Sequence, residues 1–296
     1  MPSKLVILCG KGGVGKTTIS LALGLKHATQ GKPVLVVTSH PLKELALAVS
    51  MDGLGVRFPQ AAKNLFIVHI DPRQLLTELV HKHFPVAAAA DKVVRSAIFR
   101  NLVEVVPGLK SFYFLSRLQN LAERKAPEAG QHRYELLIWD APATGHFLST
   151  LRSARTFEHY LSGPLAEAGA EVARFFSTAG NICLLPVTTL EEMAIQETIE
   201  LDRAMRTDFS VRGRTLLLNL VSPMASASAA EFSQLEAAAG EELEMVVGKG
   251  RYERSYTEDL RTKLGMPVLP VPRLSHGSSD LELLWRMASL MDIAVD

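Results

Sequence analysis

Short apolar runs alternate with longer stretches of helical spacing along the chain. Residues 4–9 (KLVILC) form a run stopped by Gly10, the pattern of a strand buried on both faces. The same pattern predicts six further strands, at 33–37 (PVLVV), 65–70 (LFIVHI), 134–139 (YELLIW), 181–185 (NICLL), 215–220 (TLLLNL) and 267–271 (PVLPV). Asp140 closes the fourth of them. Helical patterns separate the runs, beginning with residues 17–30, where Leu21, Leu23 and Leu25 are among the apolar positions. Strands regularly alternating with helices imply an α/β fold with a mostly parallel, doubly wound sheet covered on both faces.

One region departs from this rhythm. Residues 71–130 carry little strand character, and 74–83, 91–105 and 109–124 each show apolar residues at helical spacing. Pro85 and the Pro107-Gly108 pair punctuate them. The reading is a helical insertion at 71–130 within a single domain of residues 1–296, with a further helical segment at 147–177. No internal repeat or low-complexity linker divides the chain.

Composition narrows the class. The 296 residues include 32 Lys+Arg and 31 Asp+Glu, a net charge of +1, which disfavours a nucleic-acid partner bound through a broad basic face. At 47% hydrophobic the chain has ample material for a core. The two cysteines, Cys9 and Cys183, are too few for a disulfide framework or a zinc site and both fall in apolar runs, so buried reduced thiols are expected. No run approaches the roughly 18 apolar residues of a membrane span, and the run at 5–9 is too short for a signal peptide; a cytoplasmic location is expected.

The sharpest chemical signal is Gly10-Lys11-Gly12-Gly13-Val14-Gly15-Lys16-Thr17-Thr18. It fits G-x-x-x-x-G-K-[ST] and lies between a strand and a helix, the position this phosphate-binding loop requires. Glycines let the backbone curl so that several N–H groups face phosphate oxygens, and the helix N-terminus behind adds partial positive charge. Lys16 is expected to reach the β- and γ-phosphates of ATP, and the Thr17 hydroxyl to ligate Mg²⁺. Asp140, at the end of a parallel strand, is placed to hold the same Mg²⁺ through water.

Lys11 turns the loop into a variant with a second lysine, KGGVGKT. This resembles the signature shared by the MinD/ParA, nitrogenase iron-protein and ArsA relatives, in which that lysine reaches the nucleotide of the other subunit of a dimer. The string Asp140-Ala141-Pro142-Ala143-Thr144-Gly145-His146 resembles switch II of the ArsA family, which includes the arsenite-pump ATPase and the tail-anchored-protein targeting ATPase. It is most like their bacterial relatives. Residues 185–201 (LPVTTLEEMAIQETIEL) and 106–110 (VPGLK) are similar to further family segments. The resemblance implies that Asn219 reads the adenine, an edge that an amide suits by donating and accepting at once. It likewise places the adenine loop at 271–275, including Pro272, although the family's Glu-Val-Arg-Gly continuation is missing.

Switch I departs from the pattern. The family has roughly Thr-Asp-Pro-Ala-His, its Asp handling the attacking water; here the text is Ser39-His40-Pro41-Leu42-Lys43. A neutral His40 can position water or accept its proton; a charged one would repel Mg²⁺. His40 is therefore either the catalytic group beside Lys11, Lys16 and Asp140 or a degenerate position. His146 has two readings, γ-phosphate sensing or turn stabilisation. His81 and His83, two apart on an expected helix, face different ways and suggest no metal site. The cysteine positions exclude the family's interfacial zinc, its arsenite site and an iron–sulfur role.

The resemblance thus implies a Mg²⁺- and ATP-dependent switch ATPase, a homodimer or a heterodimer with a paralogue, with a hydrophobic protein client on its helical insertion. The alternative is a non-hydrolysing ATP-binding subunit paired with an active paralogue. A MinD/ParA-like positioning ATPase fits less well, because the tail at 281–296 has three acids, Glu282, Asp292 and Asp296, against the single Arg286.

Overall fold

The computed structural model describes residues 4–38, 50–52, 55–57, 64–71, 77, 94, 96, 106, 108–123, 134–160, 162–238, 244–275, 280–293 and 295. The 39–43 segment with His40, residues His81 and His83, and the helices expected at 74–83 and 91–105, apart from isolated positions, lie outside the described residues.

The strands are β1 (Leu5–Gly10), β2 (Val34–Thr38), β3 (Ser50–Asp52), β4 (Gly55–Arg57), β5 (Leu65–His69), β6 (Leu136–Ala143), β7 (Ile182–Thr188), β8 (Leu216–Val221) and β9 (Val268–Pro272). They form one sheet in the order β3-β4-β5-β2-β6-β1-β7-β8-β9. From β5 to β9 every pairing is parallel. All seven expected strands are therefore present. The sequence reading missed β3 and β4, three residues each, an antiparallel pair added to the edge at β5. Runs that short carry too little periodicity to register as strands.

The helices are α1 (Lys16–Thr29), α2 (Leu109–Ala122), α3 (Thr144–Tyr160), α4 (Pro164–Ser177), α5 (Glu192–Phe209), α6 (Pro223–Ser226), α7 (Ala229–Ala238), α8 (Glu244–Leu264) and α9 (Asp280–Leu290). Successive strand residues point to opposite faces, and both faces are covered. Val6 and Leu8 of β1 join Val34 and Val36 of β2 and Ile138 of β6 in one cluster with α1 and α9. Leu5, Ile7 and Cys9 join Leu35, Val37 and Trp139 in the other, with α2, α3, α4 and α5. A third cluster packs Leu260 and Leu264 of α8 on Leu216 and Leu218 of β8. This double coverage explains why the strands read as continuous apolar runs.

Trp139 is the hub of the second face. Its ring lies 5.3 Å from Phe114 of α2, 5.4 Å from Phe147 of α3 and 6.5 Å from Phe176 of α4. Phe112 of α2 stacks on Phe157 of α3 at 4.6 Å. The described end of the 71–130 insertion is thus built into the main core.

Two boundaries need correction. The segment expected at 147–177 is two helices, and the first starts earlier, at Thr144. Gly163 separates them at φ 66°, ψ −149°, and Pro164 opens α4. A residue before proline is held out of the helical region, so the break follows from Gly-Pro itself. The fourth strand also continues past Asp140 to Ala143. It tolerates Pro142 because the ladder with β1 shifts register there, pairing Gly10 with Ala143.

Candidate functional site

The parallel strands all end at one edge of the sheet, and β1, at its centre, hands the chain to the glycine-rich loop at that edge. Ligands of such sheets bind where connections diverge to either side of a strand. From β1 the chain crosses to β2 on one side, and β7, β8 and β9 build the other.

The loop's form depends on three glycines. Gly10 has φ 145°, and a Cβ there would meet the Val187 carbonyl oxygen at 2.1 Å, so the loop leaves β1 in contact with β7. Gly13 and Gly15 have φ 88° and 92°, which glycine adopts without the steric cost of a side chain. Val14 anchors the loop between them, buried in the core. Gly12 approaches the end of β6, where its Cβ would lie 3.9 Å from that of Ala143. Lys11 is half-exposed and Thr18 half-buried.

Lys16 opens α1 and is buried, its ammonium donating to the Gly10 carbonyl at 3.0 Å and the Lys11 carbonyl at 2.8 Å. Burial pulls its pKa below the ordinary lysine range, and the nearby Asp140 carboxylate opposes that pull. The cation is therefore held inside the loop, facing the groups a polyphosphate would reach.

Thr17 donates from Oγ1 to Asp140 Oδ2 at 2.7 Å, and Thr38 donates to the same oxygen at 3.1 Å. Asp140, 1% exposed and inside β6, thus joins the start of α1 to the end of β2. Thr38 pairs with Asp140 in the ladder, a partnership the one-dimensional reading could not identify. Behind Thr38, His69 Nδ1 lies 3.1 Å from its carbonyl oxygen. A carboxylate with a hydroxyl beside it is a hard-oxygen donor pair. This suits Mg²⁺, which takes one or two carboxylates and completes its shell with water and phosphate. Among the described residues no group of three or more His, Cys, Asp or Glu is placed to hold a metal by itself.

Asn219 is buried at the end of β8, and its Nδ2 donates to the Val14 carbonyl at 2.9 Å. The amide lies so close under the loop that a Cβ on Gly15 would be 2.3 Å from it. This brace was not foreseen from the sequence. The next residue, Leu220, has φ 62° and is 43% exposed. After it, Val221 pairs with Pro272 of β9, and Arg273 N–H donates to the Val221 carbonyl at 2.7 Å. The structure therefore brings the loop, Asp140, Asn219 and Pro272 to one edge. His146 is exposed on the first turn of α3.

Both cysteines are buried and free. Burial pushes the Cys9 thiol far above its usual range and that of Cys183 up to about 11. No helix among the described residues is long and apolar enough to cross a membrane.

Comparison with known proteins agrees with this geometry. Residues 3–182 match the family described as anion-transporting ATPase. The chain is 28% identical over 158 residues to a protein of Aquifex aeolicus provisionally named arsenical pump-driving ATPase 2, covering 51% of this chain and 50% of that one. It is 29% identical over 165 residues to the ATPase GET3 of Komagataella phaffii (53% and 46%) and 25% identical over 186 residues to that of Candida albicans (60% and 53%). The chain spans about half the length of the curated relatives it matches. The matched span contains the glycine-rich loop, Thr38 and the Asp140 strand, and on it the chain belongs to the anion-transporting ATPase (ArsA) family.

Proposed function

We propose that this chain is a Mg²⁺- and ATP-dependent ATPase that works as a dimeric switch. The observation that carries the reading is the joined pair of motifs: Lys16 held inside the loop, and Thr17 bonded to Asp140 at 2.7 Å. On ATP binding, Lys16 exchanges the Gly10 and Lys11 carbonyls for β- and γ-phosphate oxygens, and the loop N–H groups of Gly12, Gly13, Val14 and Gly15 cradle the chain of phosphates. Thr17 and Asp140 would hold Mg²⁺, which would supply positive charge against the phosphates. Asn219 keeps the loop in shape through Val14 and presents the rest of its amide to the base, with Pro272 beside it. Lys11 reaches the nucleotide of the second subunit. Asp140 bonds both Thr17 and Thr38, so a change at Thr17 is felt at the end of β2, immediately before the segment with His40. The names of the relatives, arsenical pump-driving ATPase and ATPase GET3, support ATP turnover. The coupled partner is a protein or hydrophobic client.

His40 favours a second reading, an ATP-binding subunit that does not hydrolyse and pairs with an active paralogue. One experiment separates the two: MgATP affinity and single-turnover hydrolysis of the chain alone, with Lys16→Ala and His40→Asp alongside. Self-sufficient hydrolysis supports the first reading. Binding without hydrolysis, with turnover gained in His40→Asp, supports the second. Lys16→Ala loses charge-assisted contacts worth about 1.5–3 kcal/mol each, so its affinity should fall roughly 10- to 150-fold per contact. Undiminished MgATP binding by Lys16→Ala refutes both.

A further inference from the structure

The hairpin of α3 and α4 carries a feature that the nucleotide site does not use. The two helices touch at Gly169, where a Cβ would lie 2.6 Å from the Glu158 backbone nitrogen. Beside this contact a groove of about 470 Å³ runs along the seam, lined by Arg155, Glu158 and His159 of α3 and by Ala173, Arg174 and Ser177 of α4. Small side chains make the space: Ala170 and Ala173 form its floor, and Ala173 is buried. Cationic side chains outnumber the single carboxylate around it.

Among the described residues Arg155 and Arg174 enter none of the ion pairs. Asp208, on the neighbouring α5, is hydrogen-bonded by Arg152 at 2.7 Å, and the charge of Arg155 acts on it from a greater distance without forming an ion pair. Arg155 lies with its guanidinium 5.0 Å from the centre of the buried Phe209 ring. At that distance guanidinium and ring attract each other as a cation–π pair. A guanidinium fork is the side chain best shaped to receive an oxyanion through two parallel bonds. The groove's volume is that of a small-molecule site, about 300–1,000 Å³.

We propose that this groove binds a small polyanion, its oxyanion groups received by Arg155 and Arg174, with His159 and Ser177 as further donors. The site is separate from the phosphate loop and does not rest on the nucleotide reading. It lies toward the far end of α3, whose first turn holds Thr144, Gly145 and His146 of the 140–146 string. Its occupant has a fixed connection to the loop edge, since α3 begins one residue after Ala143, the neighbour of Gly12. The shared chemistry is the oxyanion, and phosphate or carboxylate could supply it.

Calorimetric titration of the full chain with inorganic phosphate and, separately, with citrate tests the proposal. Lys16→Ala, Arg155→Glu/Arg174→Glu and Ala170→Leu are titrated in parallel. The native chain and Lys16→Ala should bind at least one of the two anions; which one identifies the source of the oxyanion. The double charge reversal should weaken that binding by roughly tenfold or more, equivalent to about 1.4 kcal/mol. Ala170→Leu should weaken it by filling the floor without altering any charge. Loss of binding in Lys16→Ala would place the anion in the phosphate loop and overturn the proposal. So would equal affinity in the double reversal, equal affinity in Ala170→Leu, or no binding of either anion by the native chain.

Discussion

Asn219→Ala tests whether the loop is held in shape from below. The native amide donates to the Val14 carbonyl at 2.9 Å, and both residues are buried. Removing it deletes one hydrogen bond and leaves that carbonyl without the amide donor in an apolar setting. A buried polar group stripped of its partner costs about 1–3 kcal/mol. With a midpoint value of about 2 kcal/mol and a urea slope of about 3 kcal/mol/M, the unfolding midpoint falls by roughly 0.7 M. A loosened loop also binds phosphates less well whatever base they carry. Affinities for ATP and for tripolyphosphate should therefore drop by similar factors, measured by calorimetry at equal Mg²⁺. Asn219→Asp sharpens the test, because a carboxylate offers the carbonyl no N–H and repels it when charged. Burial raises that carboxyl's pKa in the folded chain, so the variant is least unstable at low pH and loses stability as the pH rises. An unchanged midpoint for Asn219→Ala, with ATP affinity lost and tripolyphosphate affinity kept, would refute the brace and leave Asn219 a reader of the base alone.

Other outcomes follow from particular residues. Leu220 sits at φ 62° and is 43% exposed, so Leu220→Gly should cost no stability and raise it by up to about 1 kcal/mol, whereas Leu220→Val should lower it; a glycine variant less stable than valine in urea melts contradicts this. Cys9 and Cys183 are buried with raised pKa values, so alkylation at pH 8 should follow the rate of unfolding; rapid labelling of the native chain at either position would be inconsistent with the packing. The Arg152 hydrogen bond holds the Asp208 carboxyl below its usual range. Its contribution is present above the ordinary carboxylate pKa and is lost as the pH falls through the depressed value. The stability difference between the native chain and Arg152→Ala should accordingly shrink on acidification, and a difference that grows toward low pH counts against the pair.

Sequence made the parallel sheet legible because its central strands are buried on both faces and so read as unbroken apolar runs. The glycine-rich loop was equally legible, since its signal is local: four glycines, two lysines and two threonines within residues 10–18. The joining of distant residues was not. Thr38 bonds Asp140 across a strand pairing, and Asn219 bonds Val14 from 205 residues away. Neither relation leaves a periodic trace. The break at Gly163-Pro164 had a local signal that helical periodicity on either side outweighed. The α3–α4 groove could not be read at all, because it depends on where two helices touch at Gly169.

The central position of β1 has a consequence for biosynthesis. β1 pairs with β6 and β7, which follow it in the chain, so Ile7 must wait for Trp139 and then for Leu184. Until then the strand and loop have neither ladder partners nor the Val187 backbone against which Gly10 turns. Contacts this distant in sequence form slowly and leave apolar surface exposed meanwhile. The glycine-rich loop is therefore made before the strands that shape it. A nascent chain stopped before β7 would carry every residue of the loop without the support that gives it its form.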